Sequence, residues 1–291
     1  MHFLKNKKIF FLHGLIVFLL VGCVPISFEF RSNRHIKVSD AIIHYSYCNF
    51  GLIAIPFQDG KYFILDTGAT RSAVLRNRTE IRSSFRGLGL LNRERTVPIR
   101  TARSVQIGDL LIENFNFVYL RARNTLWEND TTIVGVIGMD VFSEIHSYFD
   151  IKNQTITFSN ERKNKTELPS FVLSYENPIR PLVDLYVNGI VFEDVLFDIG
   201  SDGFLGLLKT DKDVLNLDVE PRIGTNRDIL NNEWSFYRKT PYFIEVNDVK
   251  FATSTVSYSR NRLPRLLGMR FVKQFSSFLI DPFEKKIKFF E

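Results

Sequence analysis

An aspartate in a tight turn after an apolar strand occurs twice in this chain of 291 residues. Residues 62–70 read YFILDTGAT and residues 195–203 read VLFDIGSDG. In both, a run typical of a buried strand enters an Asp-x-Gly turn, centred on Asp66 and on Asp198. One such match is weak, because Asp and Gly are common wherever a strand enters a turn.

Two further landmarks repeat in the same order. The sequence VIGM at 136–139 returns as LLGM at 266–269, and Asp150, which opens a predicted terminal hairpin, returns as Asp281. The three landmarks are displaced by 132, 130 and 131 residues between copies. A shared order at nearly one offset indicates an internal duplication.

This pattern resembles the aspartic proteases, in which two related lobes each supply an Asp-Thr/Ser-Gly loop and an apolar-apolar-Gly element crosses behind each loop. The short spacing is similar to the compact retropepsin-type lobe, here in tandem as in some two-lobed bacterial proteins. The resemblance covers residues 42–291 and implies an all-β fold of two tandem retropepsin-like β-barrel lobes with an active-site cleft between them. Alternating apolar runs separated by turn pairs, such as Asn188-Gly189, independently favour a β-rich chain.

The repeat also predicts domain boundaries. We expect an N-terminal lobe at 41–160, a polar linker at 161–170 and a C-terminal lobe at 171–291. Residues 1–22 would be a signal peptide and residues 23–40 a tether.

The resemblance implies an enzyme, an aspartic-type endopeptidase with Asp66 and Asp198 as its catalytic pair. Two carboxyls within hydrogen-bonding reach share one proton, so one can act as base toward water and the other as acid toward the carbonyl oxygen. The glycines Gly68 and Gly200 would let the two backbones approach closely. We expect a peptide or protein substrate.

The second loop departs from the family pattern. The hydroxyl after each catalytic Asp bonds across to the opposite loop in that family; Thr67 can do this and Ile199 cannot. Ser201 could hydrogen-bond an oxygen of Asp198. The departure leaves an alternative open, a non-catalytic protease-like lipoprotein of the cell envelope that binds peptides. A substrate-covering hairpin is expected around 105–118, where no tyrosine is found.

The N-terminus predicts export. Lys5, Lys7 and Lys8 precede an apolar run at 9–20, which is followed by a short segment ending in Gly22 and Cys23. This resembles a bacterial lipoprotein signal, with Cys23 as the lipidated first residue of the mature chain. The apolar run is short of the roughly 20 residues of a membrane span; a plain signal peptide with an incidental cysteine is the remaining alternative. We therefore expect a protein of the bacterial cell envelope, held to a membrane by its lipid.

Composition argues against several other classes of function. The net charge is +6, and three of the positive charges belong to the predicted signal. The arginines of the first lobe are scattered without interleaved aromatic residues, so we predict a solvated face and no nucleic-acid partner. No Cys/His spacing suggests a metal site and no Gly-rich loop suggests a phosphate-binding cofactor. We therefore expect no cofactor. Since one chain supplies both lobes, we also expect a monomer.

Overall fold

The computed structural model describes residues 35–38, 42–48, 51–92, 95–122, 127–161, 167–208, 210–211, 224–227, 233–236, 242–253, 256–259 and 264–291. The predicted signal and Cys23 lie outside these residues. The first half of the chain contributes twelve of the described strands and one short helix: β1 His35–Val38, β2 Ile42–His44, β3 Ser46–Tyr47, β4 Ile53–Pro56, β5 Tyr62–Leu65, β6 Ala73–Leu75, β7 Ser83–Asn92, β8 Arg95–Ile107, β9 Leu110–Leu120, β10 Ile133–Ile137, α1 Met139–Phe142, β11 His146–Asp150 and β12 Thr155–Ser159.

The second half contributes a matching set: β13 Phe171–Ser174, β14 Leu182–Val187, β15 Ile190–Asp198, β16 Leu205–Leu208, β17 Gly224–Arg227, β18 Glu233–Phe236, β19 Tyr242–Val246, β20 Val249–Thr253, β21 Val256–Ser259, β22 Leu266–Gly268, α2 Met269–Val272, β23 Ser277–Asp281 and β24 Lys286–Phe290. Among the described residues no helix is long and apolar enough to cross a membrane.

The two halves share one strand topology. In the first lobe, β10 runs parallel to β5 and antiparallel to β6, and β6 runs parallel to β9. In the second lobe, β22 runs parallel to β15 and antiparallel to β16, and β16 runs parallel to β21. The same arrangement of four strands occurs at the same place in each repeat. This confirms the predicted all-β fold of two related lobes.

A six-stranded sheet joins the lobes, in the order β13-β24-β23-β11-β12-β2. Its centre is the antiparallel pair β11 and β23, in which Tyr148 lies opposite Leu279. These two residues occupy equivalent positions in the repeats, so the pseudo-twofold axis passes between them. Beside the axis the rings of Phe149 and Phe278 stack at 4.2 Å between centroids.

Phenylalanine fills the interior, as 28 of them in one chain would suggest. A single apolar cluster extends from the first lobe through the joining sheet into the second, and a smaller one lies in the first lobe. Interiors packed in this way are stiff, so the cluster fixes the two Asp-x-Gly loops relative to each other. Cys48 is half-buried at the edge of the smaller cluster.

The turn at Asn188-Gly189 was predicted from the sequence, whereas the pairing of strand β1 was not. The Asn188-Gly189 turn joins β14 and β15, with both residues at positive φ (50° and 78°), as a two-residue hairpin turn requires. Strand β1 falls within the segment predicted as a tether and pairs with β9 instead, because its residues can complete the ladder at that edge.

The first lobe has a hairpin in the segment where one was expected. Strands β8 and β9 pair antiparallel on either side of the tight turn that follows Ile107. A second long hairpin, formed by β7 and β8 at Ser83–Ile107, precedes it in the chain.

Candidate active site

Each aspartate stands at the end of a central strand. The Asp66 amide donates to the carbonyl of Ile137 at 3.0 Å, which extends the parallel pairing of β5 and β10 by one residue. Asp198 ends β15 and is paired with Gly268 of β22. Buried apolar strands thus carry both carboxyls to the same edge of their lobes.

The two loops meet through their glycines. A Cβ on Gly68 would lie 2.6 Å from Cγ of Asp198, and one on Gly200 would lie even closer to Cγ of Asp66. Each carboxylate therefore lies directly against the glycine of the opposite lobe. The pseudo-twofold axis relates these two contacts. Only a residue without a side chain permits this approach.

The two carboxyls lie within hydrogen-bonding reach of each other, and both have raised pKa values. Burial raises the pKa of Asp198 well above its ordinary range, and the charge of Asp66 and the hydrogen bond between them raise it further. Burial also raises the pKa of Asp66, while the bond to Asp198 works in the opposite direction. Two carboxyls this close do not readily ionise together, so the arrangement favours one proton shared by the pair.

Backbone amides orient the carboxylates. The amide of Ala69 donates to Oδ1 of Asp66 at 2.9 Å, and the amide of Gly200 donates to Oδ1 of Asp198 at 2.8 Å. The Ser201 hydroxyl has a different partner from the one predicted: it accepts a hydrogen bond from the Gly203 amide at 3.5 Å. The contribution of Ser201 to the turn is its amide, which donates to the Asp198 carbonyl.

Thr67 links the loops from one side only. Its hydroxyl, 1% exposed, donates to the carbonyl of Phe197 at 2.7 Å and accepts from the amide of Ile199 at 3.0 Å. In the second loop the equivalent side chain is that of Ile199, which is fully buried in the apolar cluster. The cross-loop bonding is therefore made by the first lobe toward the second.

A polar network behind the first loop was missed by the sequence analysis. Ser72 donates to Oδ1 of Asp140 through its hydroxyl (2.7 Å) and its amide (2.9 Å), and its hydroxyl accepts from the amide of Gly138. In the second lobe Phe204 replaces this serine, and its backbone carbonyl accepts from Gly268. The signal was present, since Asp140 follows the VIGM motif and its counterpart in the repeat is an arginine.

In the part of the chain that the structure describes, no group of three His, Cys, Asp or Glu side chains is arranged to hold a metal ion. Backbone amides orient the carboxyl pair, the Thr67 hydroxyl links the two loops that carry it, and the pair is arranged for proton transfer.

Comparison with known proteins adds little beyond this geometry. No protein-family model matches the chain, and no curated protein matches it. Solved structures that resemble it include a retropepsin-like aspartic protease from Rickettsia conorii, 20% identical, with a TM-score of 0.34 over 44% of this chain and 96% of that one. Basic 7S globulin from soybean is 9% identical, with a TM-score of 0.48 over 87% of this chain and 94% of that one. At these levels of similarity, the fold assignment rests on the strand topology and on the repeat.

Proposed function

We propose that this protein is an aspartic endopeptidase, with Asp66 and Asp198 as the catalytic pair. The observation that carries the proposal is the reciprocal seating of each carboxylate on the glycine of the opposite loop. Structural turns need no such exchange between lobes, whereas a shared-proton pair does. The raised pKa values of both carboxyls support the same conclusion.

The proposed reaction begins with a water molecule between the carboxyls and the scissile carbonyl. Ionised Asp66 takes one proton from the water as the water oxygen bonds to the carbonyl carbon. Protonated Asp198 gives its proton to the carbonyl oxygen. The tetrahedral diol then collapses. A proton from one of its hydroxyls passes to a carboxylate, a carboxyl proton passes to the departing nitrogen, and the C–N bond breaks. The pair ends as it began, with one proton, and the products are an acid and an amine.

The substrate class follows from the reaction. A pair of carboxyls that activates water suits the amide carbonyl of an extended peptide, with water as the co-reactant. We propose peptides or proteins as substrates and no cofactor. Since both lobes belong to one chain, a monomer would suffice.

The test is peptide cleavage by the full-length protein in detergent micelles, measured on a peptide library between pH 4 and pH 8. We expect cleavage that Asp66→Asn and Asp198→Asn each abolish. A peptide with a hydroxyl-bearing tetrahedral centre in place of the scissile amide should inhibit it, because such a group resembles the transition state. A single Asn variant with near-normal turnover would refute the shared mechanism.

We further propose that the protein is anchored through a lipid on Cys23. The basis is the segment 20–23, which reads LVGC. Stable anchoring requires more than one acyl chain. The wild type should therefore remain with membranes through a high-salt wash, and Cys23→Ala should be released or left unprocessed. A mature N-terminus at another residue would contradict this proposal.

A further inference from the structure

A lysine of the second lobe reaches across to the first lobe. Nζ of Lys273, the residue after α2, donates to the carbonyl of Gly51 at 3.2 Å. The same ammonium lies 4.0 Å from the centroid of the Tyr47 ring. Gly51 and Tyr47 belong to the segment that leads into β4, so both contacts cross between lobes.

The receiving surface is firmly held. The Tyr47 ring packs edge-on against Tyr45 at 5.5 Å, and the two hydroxyls lie 3.3 Å apart. Tyr45 is 5% exposed, and its hydroxyl donates to the carbonyl of Asp150 in the sheet that joins the lobes. A cation placed on this ring is therefore coupled to the joining sheet and does not lie on a loose loop.

The lysine is held equally well from its own side. Its amide donates to the carbonyl of Met269 at the start of α2, directly after the glycine paired with Asp198. Partial burial, and to a smaller extent the charge of Arg270, lower the pKa of Lys273. The ammonium is thus partly withdrawn from water, in which state its attraction to a carbonyl and a ring is stronger than at an open surface.

Within the described residues, the equivalent position of the first lobe has no lysine to make such a contact. At the equivalent position after α1 stands Ser143, whose amide makes the same turn bond to Met139. A serine side chain is too short to make the reach of a lysine. The second lobe therefore has a cross-lobe side chain here, and the first lobe does not.

We propose that Lys273 is a positioning residue that completes the fastening of the two lobes and so holds Asp198 in line with Asp66. Thr67 fastens the first lobe to the second, and the reverse bond is missing because Ile199 has no hydroxyl. Lys273 supplies a link in the missing direction. The contribution to catalysis rests on the proposed function; the fastening itself does not.

The experiment uses the Ile199 amide as a reporter, since its hydrogen bond to Thr67 is made only when the lobes are in register. Hydrogen exchange is measured on the full-length protein in detergent micelles. Lys273→Met should speed exchange at Ile199 by roughly twofold to fivefold, the range that one partly exposed cation–π contact represents. Lys273→Arg should restore the wild-type rate, because a guanidinium can also donate to a carbonyl and lie over a ring. Lys250→Met, a matched loss of an exposed lysine elsewhere in the second lobe, should change nothing at Ile199.

A second variant removes the contact from the other side. Tyr47→Leu should speed Ile199 exchange, and combining it with Lys273→Met should add little, because both changes break one interaction. Additive effects, or exchange changes confined to residues 46–54, would overturn the proposal.

Peptide turnover gives a separate readout. Lys273→Met should lower kcat with little change in KM, since alignment and not binding is affected. If no peptide is cleaved but exchange behaves as expected, the fastening stands and the proposed function fails. If peptides are cleaved and exchange at Ile199 is unaffected, the fastening is wrong.

Discussion

The hydroxyl of Thr67 in the first lobe donates a hydrogen bond of 2.7 Å to the backbone carbonyl of Phe197 in the second. The same oxygen accepts from the amide of Ile199, so one side chain satisfies two backbone groups on either side of Asp198. The two loops are consequently alike in backbone but different in the way they are fastened.

Replacing Thr67 by valine tests this link. Valine has the same shape, so the change removes the hydroxyl and leaves the Phe197 carbonyl and the Ile199 amide without this partner. We expect the free energy of unfolding to fall by about 2–4 kcal/mol, because a buried polar group left unpaired costs about 1–3 kcal/mol. Denaturant unfolding measures it. Thr70→Val, at a more exposed position of the same loop, is the control and should change stability little.

Ile199 is best examined with a pair of variants. Ile199→Val and Ile199→Thr remove similar volume from the apolar cluster, and they differ mainly in a hydroxyl. If the first loop can accept the missing cross-loop bond, the Thr variant should be more stable than the Val variant by about 0.5–1.5 kcal/mol. Thermal unfolding of both proteins decides this. A Thr variant less stable than the Val variant would mean that the site offers no partner and that the second loop is built for an apolar residue.

The glycines should separate loss of activity from loss of stability. A Cβ at residue 68 would meet the carboxyl of Asp198, which can rotate away, so Gly68→Ala should abolish peptide cleavage while unfolding changes by less than about 2 kcal/mol. A Cβ at residue 138 would lie 2.6 Å from the backbone carbonyl of Ala69, which cannot yield in this way. Gly138→Ala should therefore lower stability by more than about 3 kcal/mol.

The control for both variants is Gly203→Ala. There the nearest atom would lie at 3.6 Å, an ordinary contact, so activity and stability should be retained. Equal stability losses for Gly68→Ala and Gly138→Ala would contradict the assignment of different neighbours to the two glycines.

Stability should depend on pH through the carboxyl pair. The pKa of Asp198 is raised from an ordinary 3.8, so the folded state keeps a proton that the unfolded state loses. The stability contributed by this proton is fully present below pH 3.8 and is lost as the pH rises through the folded-state pKa. Asp198→Asn should thus be more stable than the wild type at neutral pH, and the difference should vanish in acid.

Unfolding of both proteins across pH 3 to 8 measures this difference. Asp202→Asn changes a half-exposed carboxylate of the same loop, which lies 3.7 Å from Arg270 of α2, and it should not reproduce the effect. A constant difference between wild type and Asp198→Asn at every pH would show that the proton is not held by this residue.

The repeated structural elements could be predicted from the amino-acid sequence. Two Asp-x-Gly turns, two apolar-apolar-Gly elements and two terminal hairpins at one offset were sufficient for the all-β, two-lobed fold, because each is a local pattern of apolar residues and turn formers. The sequence also predicted that Thr67 can bond across the loops and Ile199 cannot, since that depends only on which residue carries a hydroxyl. Turn chemistry likewise identified the Asn188-Gly189 hairpin.

Contacts between segments far apart in the sequence could not be predicted, because they depend on how the chain packs in three dimensions. The seating of each carboxylate on the opposite glycine, the Ser72–Asp140 network and the reach of Lys273 to Gly51 join residues 68 to 222 positions apart. The predicted partner of the Ser201 hydroxyl was wrong for a related reason, because several partners were compatible with the same sequence. A residue type fixes which bonds a side chain is able to make, whereas the packed core fixes which partner lies within about 3 Å of it.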